Sequence, residues 1–229
     1  LLSMFGAARN NIDKAYSLLT AYDEKVFDEI ASEEENIDIF ADRISNYLVQ
    51  FSPFVQSENY TQILNQYYKL ISEFERLGDH AVNISEAAQK ISENNLTFSP
   101  AAVKELRIMK NLLNQILDYT FQAVSKRDIN AAKHIEPLEE VVDEIVNRMQ
   151  ENHLDRLAKG ECNFVIDNHY VSLLNDIERV SDICSNIGIS TIIRADPSVE
   201  GVAHDYLSHL HQGDDEDYNR LYKDAYAMY

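Results

Sequence analysis

Residues 67–84 and 170–187 of this chain carry the same pattern 103 positions apart. Tyr67/Tyr170, Leu70/Leu173, Glu75/Glu178, Arg76/Arg179, Asp79/Asp182, Asn83/Asn186 and Ile84/Ile187 are identical pairs, and Glu73/Asp176, Phe74/Ile177 and Leu77/Val180 are conservative ones. Apolar periodicity alone would reproduce the Leu and Ile matches in any two amphipathic helices. It would not place Glu, Arg, Asp and Asn at one offset. A repeat of this length implies one supersecondary unit used twice.

The unit is helical. Gly and Pro together supply 10 of 229 residues, so long helices with short connections are expected. Apolar spacing and breakers give six segments, at about 3–21, 23–51, 57–93, 100–125, 128–158 and 163–194. On the second, Val26, Ile30, Ile37, Phe40, Ile44 and Leu48 form the apolar face, and Pro53 ends the element. Asn94-Asn95 and Ser99-Pro100 mark the boundary between the halves, with Ser99 as a helix cap and Pro100 at the first helical position. Pro137 is expected to kink the fifth helix. The architecture predicted is all-α: a three-helix bundle over 1–96, a second over 97–195, and an acidic, tyrosine-rich helical tail over 196–229. In the tail, Val202, Tyr206, Leu207 and Leu210 make one apolar face and Tyr218, Leu221, Tyr222 and Ala225 another, so the tail should fold back on the bundles.

The charge balance is −19, which disfavours nucleic acid and anionic lipid as partners and favours cations. No run of about 18 apolar residues is present to span a membrane, and residues 1–5 lack the features of a secretory signal. The chain does not begin with Met and is expected to continue upstream. Cys162 and Cys184 form no CxxC and no disulfide framework, and Cys184 is expected in the core.

The carboxylates carry the chemistry. Random placement of 20 Glu and 19 Asp gives roughly 1.6 Glu-x-x-x-Asp pairs, and six occur. Four fall at matching places in the two halves: Glu34/Asp38 with Glu139/Asp143, and Glu75/Asp79 with Glu178/Asp182. Glu24/Asp28 and Glu151/Asp155 have no such partner and are expected on solvated faces. A spacing of four stacks two carboxylates one turn apart on a helix, at a cost of roughly 0.2–0.5 kcal/mol per like-charged pair. Repetition of that cost points to a compensating cation, and hard cations prefer carboxylate oxygen. Gly78 and Ser181 are small enough to admit a neighbouring helix beside these motifs. The rival reading is a set of surface ion pairs with Arg76, Arg179 and nearby bases.

Glu75-Arg76-Leu77-Gly78-Asp79-His80-Ala81-Val82-Asn83-Ile84 resembles the signature of the PhoU family, and residues 178–187 resemble its second copy. Ile37-Asp38 with Phe40, and Val142-Asp143 with Ile145, are similar to that family's other helix motif. The resemblance covers about residues 4–194 and departs at Ser181, where the family favours Gly. It implies two three-helix bundles, a multinuclear metal cluster with iron preferred and zinc as runner-up, and a non-enzymatic regulatory role in phosphate transport. The implied metal residues are Glu34, Asp38, Glu75, Asp79, Glu139, Asp143, Glu178 and Asp182. Of these, Glu75, Asp79, Glu178 and Asp182 lead, and Glu34 and Glu139 have acidic neighbours that could substitute.

His204-Asp205-Tyr206-Leu207-Ser208-His209-Leu210, followed by Gly213-Asp214-Asp215, resembles the end of PhoU-like domains fused to sodium-phosphate cotransporters. It implies a cytoplasmic domain at the inner face of the cell membrane, joined to a transporter domain in the same chain. A free-standing PhoU-type regulator within an ATP-driven phosphate-transport complex is the alternative, and homo-oligomerisation is left open. A metal-free helical interaction module, its acidic face on a basic partner, is a third reading. A ferritin-like diiron oxidase is excluded, because none of the seven histidines follows a Glu by three residues. His80 points about 100° away from Asp79 and is expected to be a polar surface residue.

Overall fold

The computed structural model describes residues 1–54, 58–195 and 215–229, which are helical with short connections and contain no strand. Contacts divide the chain into two units, Leu1–Ser85 and Glu86–Tyr229.

The first unit holds α1 (Leu2–Leu18), α2 (Glu24–Phe51) and the part of α3 (Glu58–Glu93) that runs to Ser85. Its core is drawn from the apolar faces of all three helices, with Val26, Ile44 and Leu48 of the expected α2 face only half-buried. Phe5 and Ile12 from α1, Ile30 and Ile37 from α2, and Phe74, Leu77 and Ile84 from α3 are buried. The rings of Phe5 and Phe74 meet edge to face at 5.2 Å, an arrangement that adds to the burial energy of both. Asn11, also buried, donates from Nδ2 to the Ile30 carbonyl at 3.0 Å and ties α1 to α2. Asp23 caps α2 by accepting from the Lys25 amide.

Phe40 departs from the expected face: it is 49% exposed. The buried residues of α2 are Ile30, Ile37 and Ala41, a narrow strip. At 100° per residue Phe40 lies about 80° round from its centre. α1 in the same unit buries a much wider face, from Met4 and Phe5 to Tyr16 and Leu18, so α2 lies at the edge of its core.

The second unit contains α4 (Pro100–Lys126), α5 (Ile129–Lys133), α6 (Ile135–Ala158), α7 (Asp167–Ala195) and α8 (Glu216–Met228). Helices α4, α6 and α7 pack mutually, α5 packs on α4 and α7, and α8 packs on α6. The boundary signals act as predicted. Asn95 takes a left-handed conformation (φ 51°) after α3, and the Asn95 and Leu96 amides turn back to the Ser92 and Ile91 carbonyls. Ser99 accepts from the Ala102 amide, with Pro100 opening α4.

The expected single helix over 128–158 is instead broken in two at His134. Pro137 is the reason. Its ring cannot accommodate a helical Lys133 carbonyl and offers no N–H to it, so α5 stops at Lys133. Pro137 then sits in the first turn of α6, where the missing donor is harmless. The sixth predicted segment likewise begins as a short 3₁₀ turn, Phe164–Ile166, before α7.

Cys184 is buried in the core as expected, and neither cysteine is in a disulfide. The first tail face, with Val202, Tyr206, Leu207 and Leu210, lies outside the described residues. The second forms α8. Tyr218 and Ala225 are buried, the Tyr222 hydroxyl donates to Glu144, and Arg148 donates to the Tyr226 hydroxyl at 2.7 Å. Among the described residues no helix is long and apolar enough to cross a membrane.

Candidate metal centre

Each unit brings three carboxylates together on two neighbouring helices. In the first, Glu34 and Asp38 from α2 meet Asp79 from α3. In the second, Glu139 and Asp143 from α6 meet Asp182 from α7. Within each triad the oxygens lie within 4.8 Å of one another. The repeat seen in sequence is thus a repeat of geometry.

Local packing explains the approach. A β-carbon on Gly78 would stand 3.3 Å from Ile37 Cδ1 and 3.8 Å from Glu34 Cγ, so α2 lies directly over this position. That closeness carries Glu34 and Asp38 to Asp79, the next residue after Gly78. At the equivalent Ser181 the side chain is buried and its hydroxyl donates to the Glu178 carbonyl at 2.7 Å, folding back on its own helix.

Electrostatically the triads hold more negative charge than the nearby bases offset. Burial, and then the charges of Asp38 and Asp79, push the Glu34 carboxyl up to about 7. Asp79 is also raised, by burial and by Asp38, against the lowering effect of His80 and Arg76. In the second unit burial, followed by Glu136, Asp143 and Asp182, lifts Glu139 to about 9. Asp143 rises to about 6 through burial and the charges of Glu178 and Asp182. Each of these shifts is what a bound cation would reverse.

The donor set fits a cation. All three donors in each triad are carboxylate oxygens, which suits hard cations. Asp143 Oδ1 is buried with no hydrogen-bond partner, and an orphaned carboxylate oxygen in this position calls for a positive ligand.

Glu75 and Glu178, expected among the leading ligands, lie outside the triads. They sit one turn before Asp79 and Asp182. The Glu75 carboxyl is raised by burial and by Asp38 and Asp79, and the charge of Glu178 bears on Asp143, so both flank the clusters. Glu34 and Glu139, ranked below the aspartates from sequence, are triad members. The unmatched pairs Glu24/Asp28 and Glu151/Asp155 are exposed, as expected. The ion-pair reading finds one foothold here: Arg179 reaches Asp182 at 2.8 Å, whereas Arg76 pairs with Glu73.

Two features escaped the sequence. Glu136 is buried and accepts a short hydrogen bond from Ser185. Glu105 on α4 gathers Asn152, Arg156 and Tyr170 around one carboxylate. No spacing signal marks either acid, since their partners are 47 to 65 residues distant in the chain.

Comparison with known proteins agrees with the duplicated geometry. The family profile described as the PhoU domain matches residues 1–88 and again 106–191. A phosphate-specific transport system accessory protein PhoU homolog of Clostridium acetobutylicum is 24% identical over 195 residues, covering 84% of this chain and 87% of its own. PhoU homolog 1 of Thermotoga maritima is 24% identical over 140 residues, which span 61% of this chain and 58% of the relative. Among solved structures, PhoU from Pseudomonas aeruginosa superposes with a TM-score of 0.77 at 18% identity, over 85% of this chain and 92% of that one. The phosphate transport system regulatory protein PhoU from Streptococcus pneumoniae gives 0.71, also at 18%, with the same coverage. With the domain matched twice over most of its length, the chain belongs to the PhoU family.

Proposed function

We propose that this protein is a non-enzymatic regulator of phosphate transport, acting as a PhoU-type accessory protein in a phosphate-transport complex. The observation that carries the reading is the PhoU domain matched twice along the chain, each copy holding one carboxylate triad. The relatives named accessory proteins of phosphate-specific transport favour this form over a domain fused to a sodium-phosphate cotransporter. The cotransporter reading rests on residues 204–215, of which only Asp215 is among the described residues.

The triads are proposed to hold cations, iron first and zinc second, with Glu75 and Glu178 as flanking groups that a multinuclear cluster would recruit. A bound cation would supply positive charge between two helices. The residues of the chain do the rest. Glu34 and Asp38 present oxygens from α2 toward Asp79 on α3, and Glu139 and Asp143 present oxygens from α6 toward Asp182 on α7. Neutralisation of either triad fixes its helix pair, and loss of the cation leaves three mutually repelling carboxylates. This coupling links cation content to the helix surface offered to a transporter.

The test is complementation. In a bacterial strain lacking its own PhoU protein, the chain should restore restraint of radiolabelled phosphate uptake under phosphate-replete growth. The variant Glu34→Gln/Asp38→Asn/Glu139→Gln/Asp143→Asn should not. Restoration by both would leave the family role standing and remove the cation from it. Restoration by neither would overturn the regulatory reading, provided both proteins accumulate.

A further inference from the structure

Given the cation reading above, on which this step rests, we propose that the two triads exchange cations at different rates. The first is open to the medium, and the second is enclosed by the Glu136–Ser185 pair and α8, so that its cation leaves slowly. The triads match in ligand type and spacing, so any difference between them lies in their surroundings. Asp38 and Asp79 are exposed, and Glu34 is half-buried. No member of the second triad is exposed.

The repeat breaks where the enclosure is built. Glu136 and Ser185 stand three residues, about one turn, from Glu139 and Asp182. Glu136 is 8% exposed, and the Ser185 hydroxyl donates to it across the α6–α7 pair. By the offsets that relate Glu34 to Glu139 and Asp79 to Asp182, the first unit has Ala31 and Val82 at these places. Neither side chain can hydrogen-bond, so the bond that closes one end of the α6–α7 groove has no counterpart between α2 and α3.

Helix α8 lies over that closed end. Its Tyr218 and Leu221 line a cavity with Glu136, Ser185, Ile189 and Ile192, which sets α8 across the groove about one turn from the triad. Tyr218 is buried there. Among the described residues the first unit contains nothing equivalent to α8. Arg179 also occupies Asp182 Oδ2 at 2.8 Å, a pair that an arriving cation must break, whereas its counterpart Arg76 pairs with Glu73. An enclosed site exchanges only as fast as its cover opens, and Glu136 adds a further negative charge where water is scarce. The first triad is therefore the one whose occupancy follows the cation concentration of the medium. The second holds its cation as a standing part of the α6–α7 pair.

The experiment mixes the zinc-loaded full chain with an excess of a chromogenic chelator in a stopped-flow instrument. Two release phases are expected, the slower by at least about tenfold. Glu34→Gln/Asp38→Asn should remove the fast phase, and Glu139→Gln/Asp143→Asn the slow one. Tyr218→Ala loosens α8 and should speed the slow phase while leaving the fast phase as in the parent. Leu221→Ala, a milder change on the same cavity wall, serves where Tyr218→Ala does not fold. A single phase with both triads loaded, the reverse assignment of the phases, or a slow phase untouched by either α8 variant would overturn the proposal and leave the cations in place. A parent chain that retains no zinc would overturn the cation reading itself, and this proposal with it.

Discussion

Gly78 on α3 and Ile37 on α2 approach so closely that a β-carbon on the glycine would lie 3.3 Å from the isoleucine Cδ1. Two effects compete when Ala replaces Gly78. Alanine gains about 1 kcal/mol in a helix interior, and the displaced atom is the mobile end of one side chain. The melting temperature of Gly78→Ala should therefore stay near the parent value. Gly78→Val adds branched methyl groups where α2 already rests, so it should destabilise by about 1–3 kcal/mol in urea titrations. It should also weaken cation binding in the first triad, because Glu34 and Asp38 are carried on α2.

Metal content should follow the triads and not acidity in general. Glu34→Gln/Asp79→Asn removes two members of the first triad and should lower bound iron or zinc, measured by elemental analysis after dialysis, to roughly half the parent content, one of two sites. Glu151→Gln/Asp155→Asn removes two charges at exposed positions and should leave metal content unchanged. Glu75→Gln alone separates a flanking role from direct ligation: retention of metal puts Glu75 outside the donor set.

The sequence made the fold legible where one physical signal acted alone. Apolar spacing on α3 points to Tyr67, Leu70, Ile71, Phe74, Leu77, Ala81, Ile84, Ala88 and Ile91, and all but the half-buried Tyr67 are buried. Ser99 with Pro100 located the start of α4 through a local hydrogen bond. Legibility failed where two elements had to be placed relative to each other. Glu75 and Glu178 share a helical stripe with Asp79 and Asp182, and spacing along one helix cannot say which member faces the neighbouring helix. The contact between Gly78 and Ile37 decides that, and it brings Asp79 rather than Glu75 to Glu34 and Asp38. Phe40 was misplaced for a related reason, since the width of the buried strip depends on how many neighbours α2 has. The Arg156 cluster was invisible because its partners come from α4, α6 and α7, with no shared periodicity.

The raised carboxyls set the pH dependence of the cation-free protein. Glu139 at about 9, Glu34 at about 7 and Asp143 at about 6 hold protons in the folded state that the unfolded chain has already released. Between the ordinary carboxylate range and these values the folded state binds more protons, so stability falls as pH rises. With chelator present, the melting temperature should decline from about pH 5 to about pH 9. Glu139→Gln should flatten the part above about pH 7, whereas Glu151→Gln should leave the slope as in the parent. Added cation should reverse the trend, since it binds the deprotonated triads.

Helix α8 should contribute to the stability of the second unit and not act as a free arm. Its 13 residues are too few for an isolated helix to persist in water, so the docked form depends on packing. Tyr218 and Ala225 face inward, Tyr222 donates to Glu144, and Tyr229 donates to Gln115 at 2.8 Å. Tyr218 also stands near the second triad, where burial and then the charges of Glu140, Glu136 and Glu139 raise its phenol. Tyr218→Ala should cost about 1–3 kcal/mol, and deletion of 197–229 should lower the melting temperature of the remainder. The deletion should further expose Glu139 to water and bring its carboxyl down toward the ordinary range, weakening the pH dependence described above. An unchanged melting curve and an unchanged pH slope in the truncated protein would together show that α8 leaves α6 in solution.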